Sequence, residues 1–182
     1  MTKDQNDQNE VKWNAHPNME ELYFHCYRKR SPLKIEFGQA MPKLTYLALS
    51  SIDVEMLSVF STQSFPLLER LFFKRGYGAP TPDGQVIYNI LENCPNLKSI
   101  RLASFELSDP NSVSKWHSFL LEIYKVFNAY IDIYRHDDYH QRAPLKMFED
   151  YLEKTDLVTF EKYKKMKADY LDWTKNHTDP SK

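Results

Sequence analysis

Glycine is scarce in this chain, with four among 182 residues, and cysteine scarcer still, with two. So little glycine leaves no glycine-rich phosphate loop, and neither a Gly-x-Ser-x-Gly elbow nor a His-Glu-x-x-His helix is written anywhere. The two thiols, Cys26 and Cys94, cannot make a disulfide framework, and nothing beside them has metal-ligand spacing. They read as small buried apolar side chains in a reducing setting. A basic excess is missing too: the formal net charge is -1 and the pI is near 6.6, which argues against nucleic acid as a partner of the whole chain. No apolar run approaches the roughly 20 residues that cross a bilayer, and residues 1–9 are polar and mixed in charge, which predicts neither a membrane segment nor a targeting peptide. The expected location is intracellular, cytoplasmic or nuclear.

What the chain does have is a phrase of nine residues written four times, at 16–24, 41–49, 65–73 and 94–102. Each copy reads x-Pro-x-Leu-x-x-Leu-x-Leu, with Met, Ile or Phe as the apolar substitutes. The prolines fall at 17, 42, 66 and 95, so the steps are 25, 24 and 29 residues, a period that belongs to stacked repeats. A short strand alternates its side chains, so the leucines at the fourth, seventh and ninth places point inward and the residues between them outward. The proline precedes the strand ladder, where no backbone donor is needed.

The pattern resembles the leucine-rich repeat, and Cys94-Pro95-Asn96-Leu97-Lys98-Ser99-Ile100-Arg101-Leu102 is similar to the repeats of F-box substrate receptors and related leucine-rich-repeat adaptors. The resemblance covers residues 16 to 107 or so. Two copies continue into the longer template, but Ile52 and Phe105 stand where that template places Asn or Cys. The resemblance implies a role as substrate receptor in ubiquitin ligation. An F-box ordinarily precedes such repeats; none is visible here, where the repeats begin at His16.

Between phrases the chain must return to start the next parallel strand, and helices commonly do this. Asp53 is placed to cap a short helix burying Met56, Leu57 and Phe60, and Asp83-Gly84 to open another carrying Val86, Ile87, Ile90 and Leu91. Residues 28–40 alternate at Leu33, Ile35 and Phe37, which fits an extended segment or an irregular crossover. After Asp109-Pro110 the spacing of Val113, Trp116, Leu120, Ile123, Phe127, Tyr130 and Tyr134 predicts one long amphipathic helix. Pro144 starts a second helix with Leu145, Phe148 and Leu152, and Phe160, Tyr163, Tyr170 and Trp173 mark a third. The expected architecture is α/β: a loose leader at 1–12, a short leucine-rich-repeat-like solenoid with a parallel sheet at 13–108, and an all-helical C-terminal extension that caps it at 109–177.

In such an array the outward positions of successive strands form one continuous strip. Here they include Glu21, Tyr23 and His25, then Tyr46, then Arg70, Phe72 and Lys74, then Arg101. Aromatic and arginine side chains dominate binding hot spots, so this strip is the candidate site for a protein partner, unless the C-terminal helices cover it. On that basis Tyr23→Ala with Phe72→Ala is expected to abolish binding and leave unfolding nearly unchanged. The expected function is non-enzymatic recognition, as adaptor or scaffold, with no catalytic residues, no metal and no cofactor. Two alternatives stand beside it. His136, Asp138 and His140 could serve a metal-dependent hydrolase, although histidine beside carboxylates after a helix is ordinarily a solvated helix end. Arg28, Lys29, Arg30, Arg70, Lys74 and Arg101 could serve a nucleic-acid adaptor.

Overall fold

The proline phrase folds as a turn followed by a strand. In the computed structural model, which describes residues 10–13, 17–25, 34–37, 41–52, 57, 60, 65–75, 84–103, 110–134 and 142–177, the carbonyls of Met41, Phe65 and Cys94 accept hydrogen bonds from the N–H groups of Leu44, Leu68 and Leu97 at 3.2, 3.1 and 3.0 Å. Proline sits second in each of these turns, where its fixed φ is already that of a turn and its missing N–H costs nothing. The strands that follow are β2 (Glu21–His25), β4 (Tyr46–Ile52), β5 (Arg70–Arg75) and β6 (Ser99–Ala103). With β7 (Tyr130–Tyr134) they form one five-stranded parallel sheet in the order β2-β4-β5-β6-β7. The chain is thus an α/β protein with a five-stranded parallel sheet.

Equivalent residues stand opposite one another along the whole sheet: Glu21, Tyr46, Arg70, Ser99 and Tyr130 in one row, Leu22, Leu47, Leu71, Ile100 and Ile131 in the next. The bonds that hold this register sit at the same place in every copy. The Glu20 carbonyl accepts from the N–H groups of Thr45 and Tyr46, that of Thr45 from Glu69 and Arg70, and that of Glu69 from Lys98 and Ser99. Crossovers of different length therefore leave the register unchanged. A slip of one residue would turn every leucine outward, and that penalty fixes the pairing.

The core lies on the leucine face. Leu47, Leu49, Phe73 and Ile100 are fully buried, and the turn residues Met41, Phe65 and Cys94 close one end of the same cluster. Across that face runs α1 (Gly84–Asn93), which buries Ile87, Ile90 and Leu91, as its apolar spacing requires. Its first residue is glycine for a local reason. A β-carbon on Gly84 would stand 2.9 Å from the ring of Phe119. Leu57 and Phe60 are buried as expected; Asp53 and Met56 lie outside the described residues.

Two expectations are corrected. The helix expected to run through Tyr134 is α2 (Pro110–Val126), which closes with Phe127 N–H on the Ile123 carbonyl at 2.7 Å, and residues 130–134 are the strand β7. The segment satisfies two periods at once. Phe127, Tyr130 and Tyr134 fit helical spacing, whereas Ile131 and Ile133 alternate with polar neighbours. The waiting edge of β6, whose backbone groups need partners, settles the choice. The C-terminal extension is therefore not all helical.

The second correction concerns the leader, of which residues 10–12 belong to β1 (Glu10–Trp13), paired in parallel with β3 (Lys34–Phe37) as a separate two-stranded sheet. Of the two readings open for residues 28–40, the alternation at Ile35 and Phe37 is extended strand.

The chain ends in α3 (Arg142–Thr155) and α4 (Leu157–Asn176). Asp156 separates them and caps the second, its Oδ1 accepting from Thr159 N–H at 3.0 Å and its Oδ2 from the Thr159 hydroxyl at 2.9 Å. Those bonds hold its carboxyl below the usual aspartate range. Tyr163, fully buried in α4, donates to Glu149 of α3 at 2.7 Å, and Lys167 pairs with the same carboxylate. Among the described residues no helix is long and apolar enough to cross a membrane.

Candidate functional site

The outward strip is not open along its length. Helix α4 lies on it, entering over β7, where Tyr170 donates to Asp132 at 2.9 Å and packs on Tyr130, and reaching β4, where Trp173 meets Tyr46 edge to face at 5.5 Å between ring centroids. The apolar stripe Phe160, Tyr163, Tyr170, Trp173 supplies this contact. Its last member, Trp173, covers the small cluster on the sheet's second face, while Tyr163 and Tyr170 join the main core. Tyr46, Ala48, Phe72 and Ala103 form a small second cluster under Trp173.

This covering divides the candidate residues into three groups. Glu21, Tyr23 and His25 on β2 are exposed; Lys74 and Arg101 are half-buried; Tyr46, Arg70 and Phe72 are buried. Tyr23 is 52% exposed, leans edge-on against Tyr46 at 5.1 Å, and donates to Glu21 at 3.1 Å. Partial burial and the Glu21 carboxylate both raise its phenol above the ordinary value. Phe72 is 2% exposed and lies beneath Arg101, whose guanidinium carbon is 5.7 Å from the ring centre. A side chain so placed holds the fold, so Phe72→Ala cannot leave unfolding unchanged.

Between the strip and the last turns of α4 remains a groove of about 570 Å³, lined by Tyr46, Arg70, Phe72, Ser99, Arg101 and Asp132 from the sheet and by Tyr170, Trp173 and His177 from the helix end. Its volume falls in the range of small-ligand and peptide-residue sites, roughly 300–1,000 Å³. Aromatic rings make its apolar walls. Trp173 has His177 stacked on it at 4.2 Å and the Arg70 guanidinium carbon 5.0 Å from its centroid.

Charge in the groove is arranged unevenly. Arg101 Nε stands 3.4 Å from Asp132 Oδ2, the oxygen that also accepts from Tyr170, so this cation is matched. Arg70 is 9% exposed, and its Nη1 donates to the neutral hydroxyl of Ser99 at 3.0 Å. Its Nε is buried without a hydrogen-bond partner, and among the described residues no carboxylate is in ion-pair contact with it. Burial lowers its pKa from the ordinary arginine value, while the more distant Glu69, Tyr170 and Asp169 pull the other way. Glu69 is occupied by Lys98 at 2.7 Å. Ser99 is itself 2% exposed, so its hydroxyl serves to orient Arg70.

Sequence reasoning placed Tyr46, Arg70, Phe72 and Arg101 on one face, and the structure brings them together. It missed Asp132, which was hidden inside an expected helix; Ser99 falls on the outward face by the same alternation but was not among the candidate residues. Trp173 and Tyr170 carried a signal, since a stripe of four aromatics on the last helix must cover something. His136, Asp138 and His140, and likewise Arg28, Lys29 and Arg30, lie outside the described residues. No group of three or more His, Cys, Asp or Glu that could hold a metal is present among the described residues. Comparison with family models, with curated proteins and with solved structures finds no match to this chain.

Proposed function

We propose that the protein is a non-catalytic recognition module, and that it holds a segment of a protein partner in the groove between its strand face and the end of α4. The observation that carries this reading is the groove wall itself: aromatic rings and a buried cation converge there from two adjacent strands and one helix. Burying a guanidinium without an opposite charge is costly, and in a stable fold such a group ordinarily has a purpose beyond packing. The repeated turn and strand, hung on each other at equivalent carbonyls, support reading the sheet as a short solenoid of the leucine-rich-repeat kind. Such scaffolds offer rows of side chains to partners, and the exposed Glu21, Tyr23 and His25 would extend the contact beyond the groove. A role as adaptor follows from this reading; a link to ubiquitin ligation rests on the sequence resemblance alone.

Selection of a random peptide library on the immobilised full-length chain tests the proposal. Enriched peptides should compete with one another and lose at least tenfold in affinity for Trp173→Ala, whose folding is followed in parallel by circular dichroism. No enrichment, or peptides that bind a folded Trp173→Ala as well as the parent, would overturn it.

A further inference from the structure

Within that reading, on which this inference rests, we propose that the groove selects a single carboxylate and that Arg70 receives it. Three features converge on this chemistry. Arginine carries five N–H donors, and Arg70 uses one of its nitrogens, Nη1, on the neutral Ser99. Of the other two nitrogens, Nε is buried without a hydrogen-bond partner and Nη2 makes no hydrogen bond to a described residue, so the edge that takes a carboxylate in a two-bond fork has no partner among the described residues, with Nη2 the atom a ligand reaches first.

The second feature is charge balance. Asp132 answers Arg101, and at the rim Lys175 is paired with Asp172 at 3.2 Å. Among the described residues that line the groove, Arg70 is the one buried cation with no carboxylate in contact, Glu69 and Asp169 acting on it without an ion-pair contact, and at a buried guanidinium an unmatched charge is costly. A monoanion neutralises it. A phosphate dianion would bring one negative charge too many, next to Asp132.

Third, the walls say what the carboxylate is attached to. Tyr46, Phe72 and Trp173 are flat and apolar, and about 570 Å³ holds one or two residues of a peptide, so the body beside the carboxylate is aromatic or large and apolar. The end of a polypeptide chain with such a last residue and a small aromatic acid share this chemistry.

The test uses the full-length chain and matched pairs of probes, by titration calorimetry. N-acetyl-phenylalanine is compared with its amide, and a peptide ending in free phenylalanine with the same peptide amidated and with an amidated peptide carrying an internal glutamate. The free acids are expected to bind at least tenfold more tightly than their amides, and the difference to vanish in Arg70→Gln. If the long free-ended peptide gains over N-acetyl-phenylalanine, the source is a chain end; equal affinity points to a small acid, and preference for internal glutamate to a side chain. Each of these three patterns upholds carboxylate selection. Equal binding of acid and amide by the parent protein overturns the inference while leaving peptide recognition standing, and this arm needs no variant. Inorganic phosphate competing as strongly as N-acetyl-phenylalanine also overturns it. Binding of no probe, together with an empty library selection, removes both the inference and the reading beneath it.

Discussion

The guanidinium carbon of Arg70 stands 5.0 Å from the centre of the Trp173 ring, a contact that ties the middle strand of the sheet to the last turn of α4. It is among the contacts by which the helix end roofs the groove. A cation over an indole contributes roughly 0.5–2 kcal/mol, more when shielded from water. Trp173→Ala is therefore expected to loosen residues 170–176, seen as faster amide exchange there, with a fall in melting temperature of a few degrees at most. Unfolding of the whole chain in this variant would show that the helix end is a structural keystone instead.

Tyr124 performs a different service at the far edge of the sheet. Its hydroxyl, fully buried, accepts from Ile131 N–H at 3.1 Å and donates to the Ile131 carbonyl at 3.3 Å. Tyr130 faces β6, with its N–H on the Lys98 carbonyl, so Ile131 turns its backbone groups the other way. Tyr124→Phe leaves both groups buried and unpaired, and urea unfolding should show a loss of about 2–4 kcal/mol. A loss under about 0.5 kcal/mol would mean that this edge finds other partners.

Tyr23 and Phe72 share a strip but not a fate. Tyr23→Ala, on an exposed side chain, should leave stability within about 0.5 kcal/mol. Phe72→Ala empties the second cluster and should cost about 3–5 kcal/mol in the same denaturation experiment. Similar values for the two would contradict the burial that separates them.

Alkaline pH should weaken the fold. Burial first, and neighbouring carboxylates and phenols after it, raise the phenols of Tyr124, Tyr130 and Tyr163 well above their ordinary value of 10.0, and burial pushes the Cys94 thiol up to about 12. In the unfolded chain these groups lose their protons near pH 9–10, while the folded chain keeps them, so between those limits the folded state binds more protons. Stability from these groups is complete below about pH 9 and is lost as pH rises through and above 10. Urea midpoints measured from pH 7 to pH 11 should hold steady and then fall. A thiol reagent at pH 8 should likewise leave Cys94 unmodified until the chain unfolds; rapid modification would contradict its burial.

Much of the fold could be read from the four phrases because each combines two independent local rules, proline in a turn and alternation in a strand, that agree with each other. Leu71 and Phe73, or Ile100 and Leu102, had one self-consistent place to go. Strand β7 was illegible for the opposite reason. It lacks the proline phrase, follows its helix after only three residues, and carries apolar residues that fit two periods. What selects between them is a neighbour distant in sequence, Ser99 to Ala103. The candidate site was half legible. Alternation places Arg70, Phe72 and Arg101 on one face, but whether that face is open or roofed depends on where α4 docks, and no local signal states that. The roof was written only as an aromatic stripe, ending at Trp173.

The central claim is that recognition happens in the roofed groove. The most direct measurement is a nitrogen-15 NMR titration of the full chain with a library-selected peptide, following the Trp173 indole N–H and the Arg70 Nε–H. Both signals should move saturably, with Trp116 unmoved, and in a folded Trp173→Phe, Arg70→Gln chain the same peptide should leave the backbone amides of Ser99 and Arg101, which line the groove, unmoved. Shifts confined to Val126, Leu157 and Val158, exposed apolar side chains at the other end of α4 and the close of α2, would contradict the claim.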